Sequence, residues 1–226
     1  MAYYSIAIDG PSGAGKSSMA KAVAKKYNFI YVDTGAIYRT VGLAAHRRGI
    51  SCSDEAKVAK ILPELRIEMK YDDKGEQRMY LDSEDVSSDI RLPEISICAS
   101  DVSALPAVRA FLLEMQRSMA RTNSVIMDGR DIGTVVLPNA DIKIFLTASS
   151  SERARRRLLQ LKEKGINEDF DKVLKEIEYR DQQDSSRDIA PLKPADDAVI
   201  VDTSDIDFDG TVALLSSIIE EKLHLN

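Results

Sequence analysis

A short apolar run, Tyr4–Ile8, is followed by Asp9 and then by Gly10-Pro11-Ser12-Gly13-Ala14-Gly15-Lys16-Ser17. This stretch restricts the fold more than any other. Its spacing is G-x-x-x-x-G-K-[ST], which has a physical reason. Glycines let successive backbone N–H groups turn toward one anion, and a helix that starts at the lysine adds its positive end. Lys16 would reach the β- and γ-phosphates, and Ser17 would help to hold Mg²⁺. Average residue usage gives roughly a one per cent chance of the pattern in a chain this long. The context agrees with the motif: an apolar strand precedes it, and Met19, Val23 and Tyr27 recur behind it every four residues. The stretch from Gly10 to Lys16, with Ser17 and Ser18, is therefore expected to bind ATP or GTP.

Four more apolar runs end near a polar residue: Phe29–Val32, Val125–Met127, Ile142–Leu146 and Ala198–Val201. Their unbroken Val/Ile/Phe character suits strands buried on both faces of a parallel sheet. Helical stripes separate them, including Val108, Leu112, Met115 and Met119 after Pro106, and Val212, Leu215 and Ile219 near the end. Alternating strand and helix predicts an α/β layered sheet with ligands at the carboxyl ends of the strands. Ser149-Ser150-Ser151-Glu152 reads as a helix cap. One stretch breaks the alternation. Arg66–Tyr71 alternates with period two, Asp72-Asp73-Lys74-Gly75 supplies a turn, and Gln77–Leu81 returns. This predicts an antiparallel hairpin, and so a small insert at about 63–95.

Composition excludes several classes. With 31 Lys and Arg against 37 Asp and Glu, the net charge is −6. Such a chain is a poor match for nucleic acid or anionic membrane. No apolar run approaches the ~20 residues of a membrane span. The start, Met1-Ala2-Tyr3-Tyr4-Ser5, has no signal-peptide core. Cys52, Cys98, His46 and His224 show no zinc spacing, and the cysteines are expected to be small buried apolar groups in a reducing cytoplasm.

Three polar clusters stand at or near strand ends. Asp33-Thr34-Gly35-Ala36-Ile37-Tyr38-Arg39 opens a helix that would aim N–H groups and Arg39 at an anion; the alternative is a capped helix with a solvated arginine. In Asp128-Gly129-Arg130-Asp131, Asp128 stands where a Mg²⁺-organising carboxylate is usual downstream of a phosphate loop. The stripe Phe170, Val173, Leu174 and Ile177 continues on one helical face into Arg180, Asp184 and Arg187. It fits a face leaving the core for a polar cleft, or else a surface ion-pair ladder. Arg153, Arg155, Arg156 and Arg157 crowd a further helix, where one or two would close over a transferring phosphoryl group. No Asn is followed by Lys, so the guanine motif of a GTPase switch is missing. The length suits a small-molecule kinase; the rivals are a kinase for another acceptor and a nucleotide-binding switch.

The first and second motifs, Asp128-Gly129-Arg130-Asp131-Ile132-Gly133-Thr134 and Ala190-Pro191-Leu192 together resemble the bacterial cytidylate kinases, collinearly over nearly the whole chain. The resemblance implies a single phosphate-loop kinase domain over 1–226. It would have a five-stranded parallel sheet with helices on both faces, a nucleoside-monophosphate-binding insert and a mobile lid at about 149–165. It implies a monomer that transfers a phosphoryl group from ATP, with Mg²⁺, to CMP or dCMP. Arg39 and Arg130 would grip the CMP phosphate, beside Thr34. Ser100, Arg109 and Asp131 would face cytosine, and Tyr38 would wall the pocket. Arg180, Asp184 and Arg187 would reach the sugar or phosphates, while Lys16, Asp128 and the lid's Arg157 would serve the transfer. Ser17 and Ser18 stand where many relatives carry Gly and Thr.

Overall fold

A computed structural model of the chain describes residues 3–163 and 165–224. Lys164, inside the expected lid, and Met1-Ala2 of the N-terminal reading lie outside the described residues. The chain divides into two compact units, Met1–Tyr31 with Asn123–Asn226, and Val32–Thr122.

The first unit is built on strands β1 (Ser5–Asp9), β6 (Val125–Gly129), β7 (Ile142–Thr147) and β8 (Val199–Asp202). Strand β2 (Ile30–Asp33) starts in this unit and carries the chain into the second. The sheet order is β2-β6-β1-β7-β8, and β1 is parallel to both neighbours, with Ile8 opposite Asp128 and Ile144. The five apolar runs of the sequence are these five strands. Ile6, Ala7 and Ile8 are all fully buried, so the central strand is covered on both faces, as its unbroken apolar character requires. Helix α1 (Lys16–Tyr27) adds Met19 and Val23 to the sheet's core, and α8 (Phe208–Leu223) adds Leu215 and Ile219. Helices α6 (Ser150–Glu163) and α7 (Phe170–Ser185) share a separate small cluster of Ala154, Val173 and Ile177. The Ser149 hydroxyl caps α6 by accepting from the Glu152 N–H at 3.2 Å. Helix α7 ends at Ser185, so Arg187 lies just beyond the helix and not on it.

The second unit holds α2 (Thr34–Arg47), α3 (Glu55–Ile61), α4 (Pro93–Ala104) and α5 (Pro106–Thr122) around one core, with Ile37, Val41, Val102, Val108 and Leu112 at its centre. Prolines at the first positions of α4 and α5 suit helix starts, where an N–H has no partner to lose. The hairpin is β3 (Ile67–Tyr71) and β4 (Gln77–Leu81), with Met69 opposite Met79. Its turn is held by Asp72, whose carboxylate accepts from the Lys74 and Glu76 N–H groups. A third strand, β5 (Glu84–Asp85), was not expected. Asp82 and Ser83 at φ of 50° and 74° make the tight turn into it. The cysteines differ from expectation. Cys52 and Cys98 are joined as a disulfide with Cα atoms 5.2 Å apart, next to the point where α4 crosses Gly42 of α2. Only Cys52 is fully buried. Among the described residues no single helix is long and apolar enough to cross a membrane.

Candidate active site

The first unit carries the phosphate loop between β1 and α1. Gly10, Gly13 and Gly15 have φ of 147°, 77° and 87°, a region that L side chains rarely adopt. Gly10 is also a packing requirement. A Cβ there would lie 1.9 Å from the Leu146 carbonyl oxygen at the end of β7. Gly10→Ala is therefore expected to destabilise the protein by about 3 kcal/mol, through strain and a backbone clash that cannot relax cheaply. Urea unfolding of the purified variant measures this. The N-cap of α1 is Gly15, which has no side chain to cap the helix, and no acid stands in the first turn. The amide dipoles there favour an anion.

Lys16 is buried and donates to the Pro11 carbonyl oxygen at 2.7 Å. Burial, and then repulsion from Arg130, push its ammonium pKa well down, against attraction from Asp128 and Asp9. An anion would reverse both effects. The Ser17 hydroxyl donates to Asp128 Oδ2 at 2.6 Å, so the loop serine and the acid at the end of β6 meet as the sequence suggests. Tyr31 donates its hydroxyl to the other oxygen, Oδ1, at 3.0 Å. It is buried and holds the carboxylate from behind. No local signal marked it, because its partner is 97 residues away.

Asp184 is buried at the end of α7 between two guanidinium groups. Arg130 Nε donates to its Oδ2 at 2.8 Å, and Arg187 Nη2 donates to its Oδ1. Burial opposes its charge, but Arg130, Arg187 and Arg180 outweigh it and hold the carboxyl below the usual range. The two readings of the α7 stripe are thus separated: the polar end is buried and tied to β6, unlike a surface ladder.

The arginines of α6 divide. Arg153 is buried and braces the loop, donating to the Ser12 carbonyl oxygen at 2.9 Å and pairing with Asp181 at 2.6 Å. Arg156 donates to the Thr203 carbonyl oxygen at 2.6 Å, and its guanidinium would be 4.0 Å from a Cβ at Gly15. Arg155 and Arg157 are exposed, Arg157 with a 3.5 Å contact to Gln160.

Asp9, read in the sequence only as a strand end, is fully enclosed. Its two oxygens accept from Ile132 N–H at 2.8 Å and Gly133 N–H at 2.7 Å. Burial raises its pKa from 3.8 to about 6 despite those bonds. A carboxyl with a raised folded pKa gives full stability below the unfolded value and loses it as pH rises through the folded one. At about 1.4 kcal/mol per pKa unit, the window from pH 3.8 to about 6 is worth about 3 kcal/mol. Stability is expected to fall by roughly 2 kcal/mol from pH 4.5 to 6.5 on this account. Denaturant titrations at both pH values check this: Asp9→Asn should flatten the slope.

In the second unit, Asp33 caps α2 by accepting from Ala36 N–H at 3.0 Å and pairs with Arg91 at 2.8 Å. Burial opposes its charge, while Arg91 and Arg39 outweigh that and hold its carboxyl down. Gln77 clamps the same residue, accepting from the Asp33 N–H at 2.8 Å and donating to its carbonyl oxygen at 3.2 Å. Thr34 is buried behind this cap. The Arg109 guanidinium stands 5.8 Å from the centroid of the Tyr38 ring and donates to the Ser103 carbonyl oxygen at 3.1 Å. Ser100 is half-buried on α4, and its carbonyl oxygen accepts from the Ser103 hydroxyl. Arg91 and Gln77, which organise the start of α2, were not singled out in the sequence.

Among the described residues no cluster of three or more His, Cys, Asp or Glu could hold a metal ion by itself. The Ser17–Asp128 pair offers two hard oxygen ligands, which fits Mg²⁺ that arrives with nucleotide phosphates and keeps several waters.

Comparison with known proteins gives the family. A protein from Lactobacillus johnsonii named "Cytidylate kinase" is 48% identical over 96% of this chain and 94% of its own length. One of the same name from Caldicellulosiruptor bescii is 51% identical over 89% of this chain and 88% of its own. The crystal structure of an uncharacterised protein from Eubacterium ventriosum shares the fold, with a TM-score of 0.51 at 15% identity over 96% of this chain and 98% of that one. The family model described as cytidylate kinase matches residues 6–221, from the second residue of β1 to the last turn of α8. By that match, and by relatives of about half identity along its length, this chain belongs to the cytidylate kinase family.

Proposed function

We propose that the chain transfers the γ-phosphoryl group of ATP to CMP and dCMP, giving ADP and CDP or dCDP. The observation that carries this is the charge cluster of the first unit. Lys16 is buried in the phosphate loop, and Arg130 and Arg187 converge on the buried Asp184. Cations gathered at a phosphate loop suit a reaction in which two phosphate groups must approach.

The acceptor is itself a phosphate. Its second pKa is near ~6, so at neutral pH it attacks without a general base. Positioning and charge neutralisation are the whole task. In the transfer, the acceptor oxygen forms a bond to the γ-phosphorus and the bridging bond to ADP breaks. The loop amides and Lys16 hold the donor phosphates. Ser17 and Asp128 would hold Mg²⁺, which supplies further neutralisation when bound with ATP. Arg39 and Arg130 grip the CMP phosphate, with the Thr34 hydroxyl beside them. Ser100, Arg109 and Asp131 face cytosine, and Tyr38 walls the base. Arg180, Asp184 and Arg187 serve the sugar and phosphates. The stretch 63–95 is the monophosphate-binding insert and 149–165 the lid, from which Arg157 closes on the transferring group. The protein acts as a cytoplasmic monomer without nucleic-acid or membrane partners.

The choice of base gives a direct test. Cytosine carries an amino donor where uracil carries a carbonyl acceptor. A carboxylate attracts the first and repels the second, a difference worth about 1–3 kcal/mol. Asp131→Asn is expected to narrow the CMP-to-UMP ratio of kcat/KM by about tenfold or more. Measuring both constants decides it: an unchanged ratio removes Asp131 from base reading.

A further inference from the structure

We infer that Asp9 is a positioning residue for base choice, holding Asp131 from behind through the backbone. This rests on the proposed role of Asp131. Asp9 acts on the phosphate loop only through its charge, which supports the Lys16 ammonium. It is 5% exposed and lies directly before the loop, yet both oxygens turn away to consecutive amides on another segment. Those amides belong to Ile132 and Gly133, the two residues after Asp131. The bonds fix both peptide planes that follow Asp131, one carboxylate oxygen to each.

The first of those peptide planes is held from its opposite edge as well. Residues Ile132–Val136 form a single π turn, a rare element that is frequent at functional sites. The Asp131 carbonyl oxygen accepts from Val135 and Val136 N–H at 2.9 and 3.2 Å. Its own φ of −146° and ψ of 27° lie outside the helical range. Asp131 thus enters the turn in a non-helical conformation, and the Asp9 clamp fixes the two peptides that follow it. Gly133 packs beside that clamp. A Cβ there would come within 3.4 Å of Asp9 Oδ2 and within 3.2 Å of the Lys143 side chain. Two negative carboxyls are also set near each other, since Asp131 repels the Asp9 charge. Burying an acid beside another acid is unfavourable, and the two amide bonds are what the arrangement gains. Site side chains locked by supporting bonds keep the tolerance that base recognition requires.

Asparagine at position 9 offers one acceptor oxygen and turns an NH₂ toward the other amide, so one side of the clamp fails. Asp9→Asn is expected to raise KM for CMP about tenfold and to narrow the CMP-to-UMP ratio about tenfold. Its kcat with CMP should stay within twofold, and its Kd for ATP, which feels only the lost attraction on Lys16, should change no more than about twofold. A merely structural acid would weaken both acceptors and ATP alike. In an Asp131→Ala background the same change should leave the ratio where Asp131→Ala put it. Asp9→Glu, which keeps the charge but moves the carboxylate by one methylene relative to the two amides, should act in the same direction and decides the matter if Asp9→Asn does not fold. An unchanged ratio in a folded variant, or a further drop in the Asp131→Ala background, overturns the role of Asp9. An unmutated protein inactive on CMP would instead overturn the proposed function.

Discussion

Lys16→Ala is expected to give a folded protein whose phosphoryl transfer is about 10³–10⁵-fold slower. The size follows from what the ammonium does. It is held within the loop by the Pro11 carbonyl, and under the proposed function it would neutralise the charge that grows on the transferring group. Loss of an analogous cation in other phosphoryl-transfer sites costs this much. The fold should survive, because in the free protein the charge is a burden. Burial and Arg130 both disfavour it. Thermal unfolding should therefore show a midpoint equal to or above that of the parent, while single-turnover kinetics show the loss. Near-normal turnover would mean that the loop does not hold the donor.

Arg130→Lys is expected to lower kcat/KM for CMP by about 10²–10³-fold, mainly through KM. The guanidinium gives Nε to Asp184 and Nη1 to the Gly129 carbonyl. Five donors in a fixed fork allow it to serve these and still pair with a phosphate through two parallel bonds. An ammonium on a flexible stem must choose between Asp184 and the phosphate. Two lost charge-assisted bonds at about 1.5–2 kcal/mol each give the predicted range. Arg187 stays on Asp184, so the buried carboxylate keeps one partner and the protein should fold. Unchanged KM and kcat would assign Arg130 a structural role only.

What the sequence revealed follows from how local each constraint is. The loop was legible because a phosphate cradle needs Gly and Lys at fixed spacing. The five strands were legible because burial on both faces removes polar residues from them. The hairpin showed through its period and its Asp-Asp-Lys-Gly turn. Strand β5 did not, because two charged residues, Glu84 and Asp85, carry no period, and its turn uses Asp82 and Ser83 where glycine is usual. The supporting residues were hidden for another reason. Tyr31, Arg91 and Gln77 act on partners 97, 58 and 44 residues away. The cysteines likewise pair across 46 residues, so neither position signalled the other. Arg153 was read within a run of four. Only packing shows that it turns inward to the Ser12 carbonyl while Arg157 does not. The stripe on α7 predicted that Arg180, Asp184 and Arg187 belong together. It could not predict that the helix stops before Arg187 and that Arg130 closes the group from the residue just after β6.

The most direct measurement is ADP release by the purified protein with MgATP and, in turn, CMP, dCMP, UMP, AMP and shikimate. Rapid turnover is predicted with CMP and dCMP, and much weaker turnover with UMP, AMP and shikimate. Preference for any of the last three over CMP, or ADP release that no acceptor stimulates, would contradict a cytidylate-directed phosphoryl transfer.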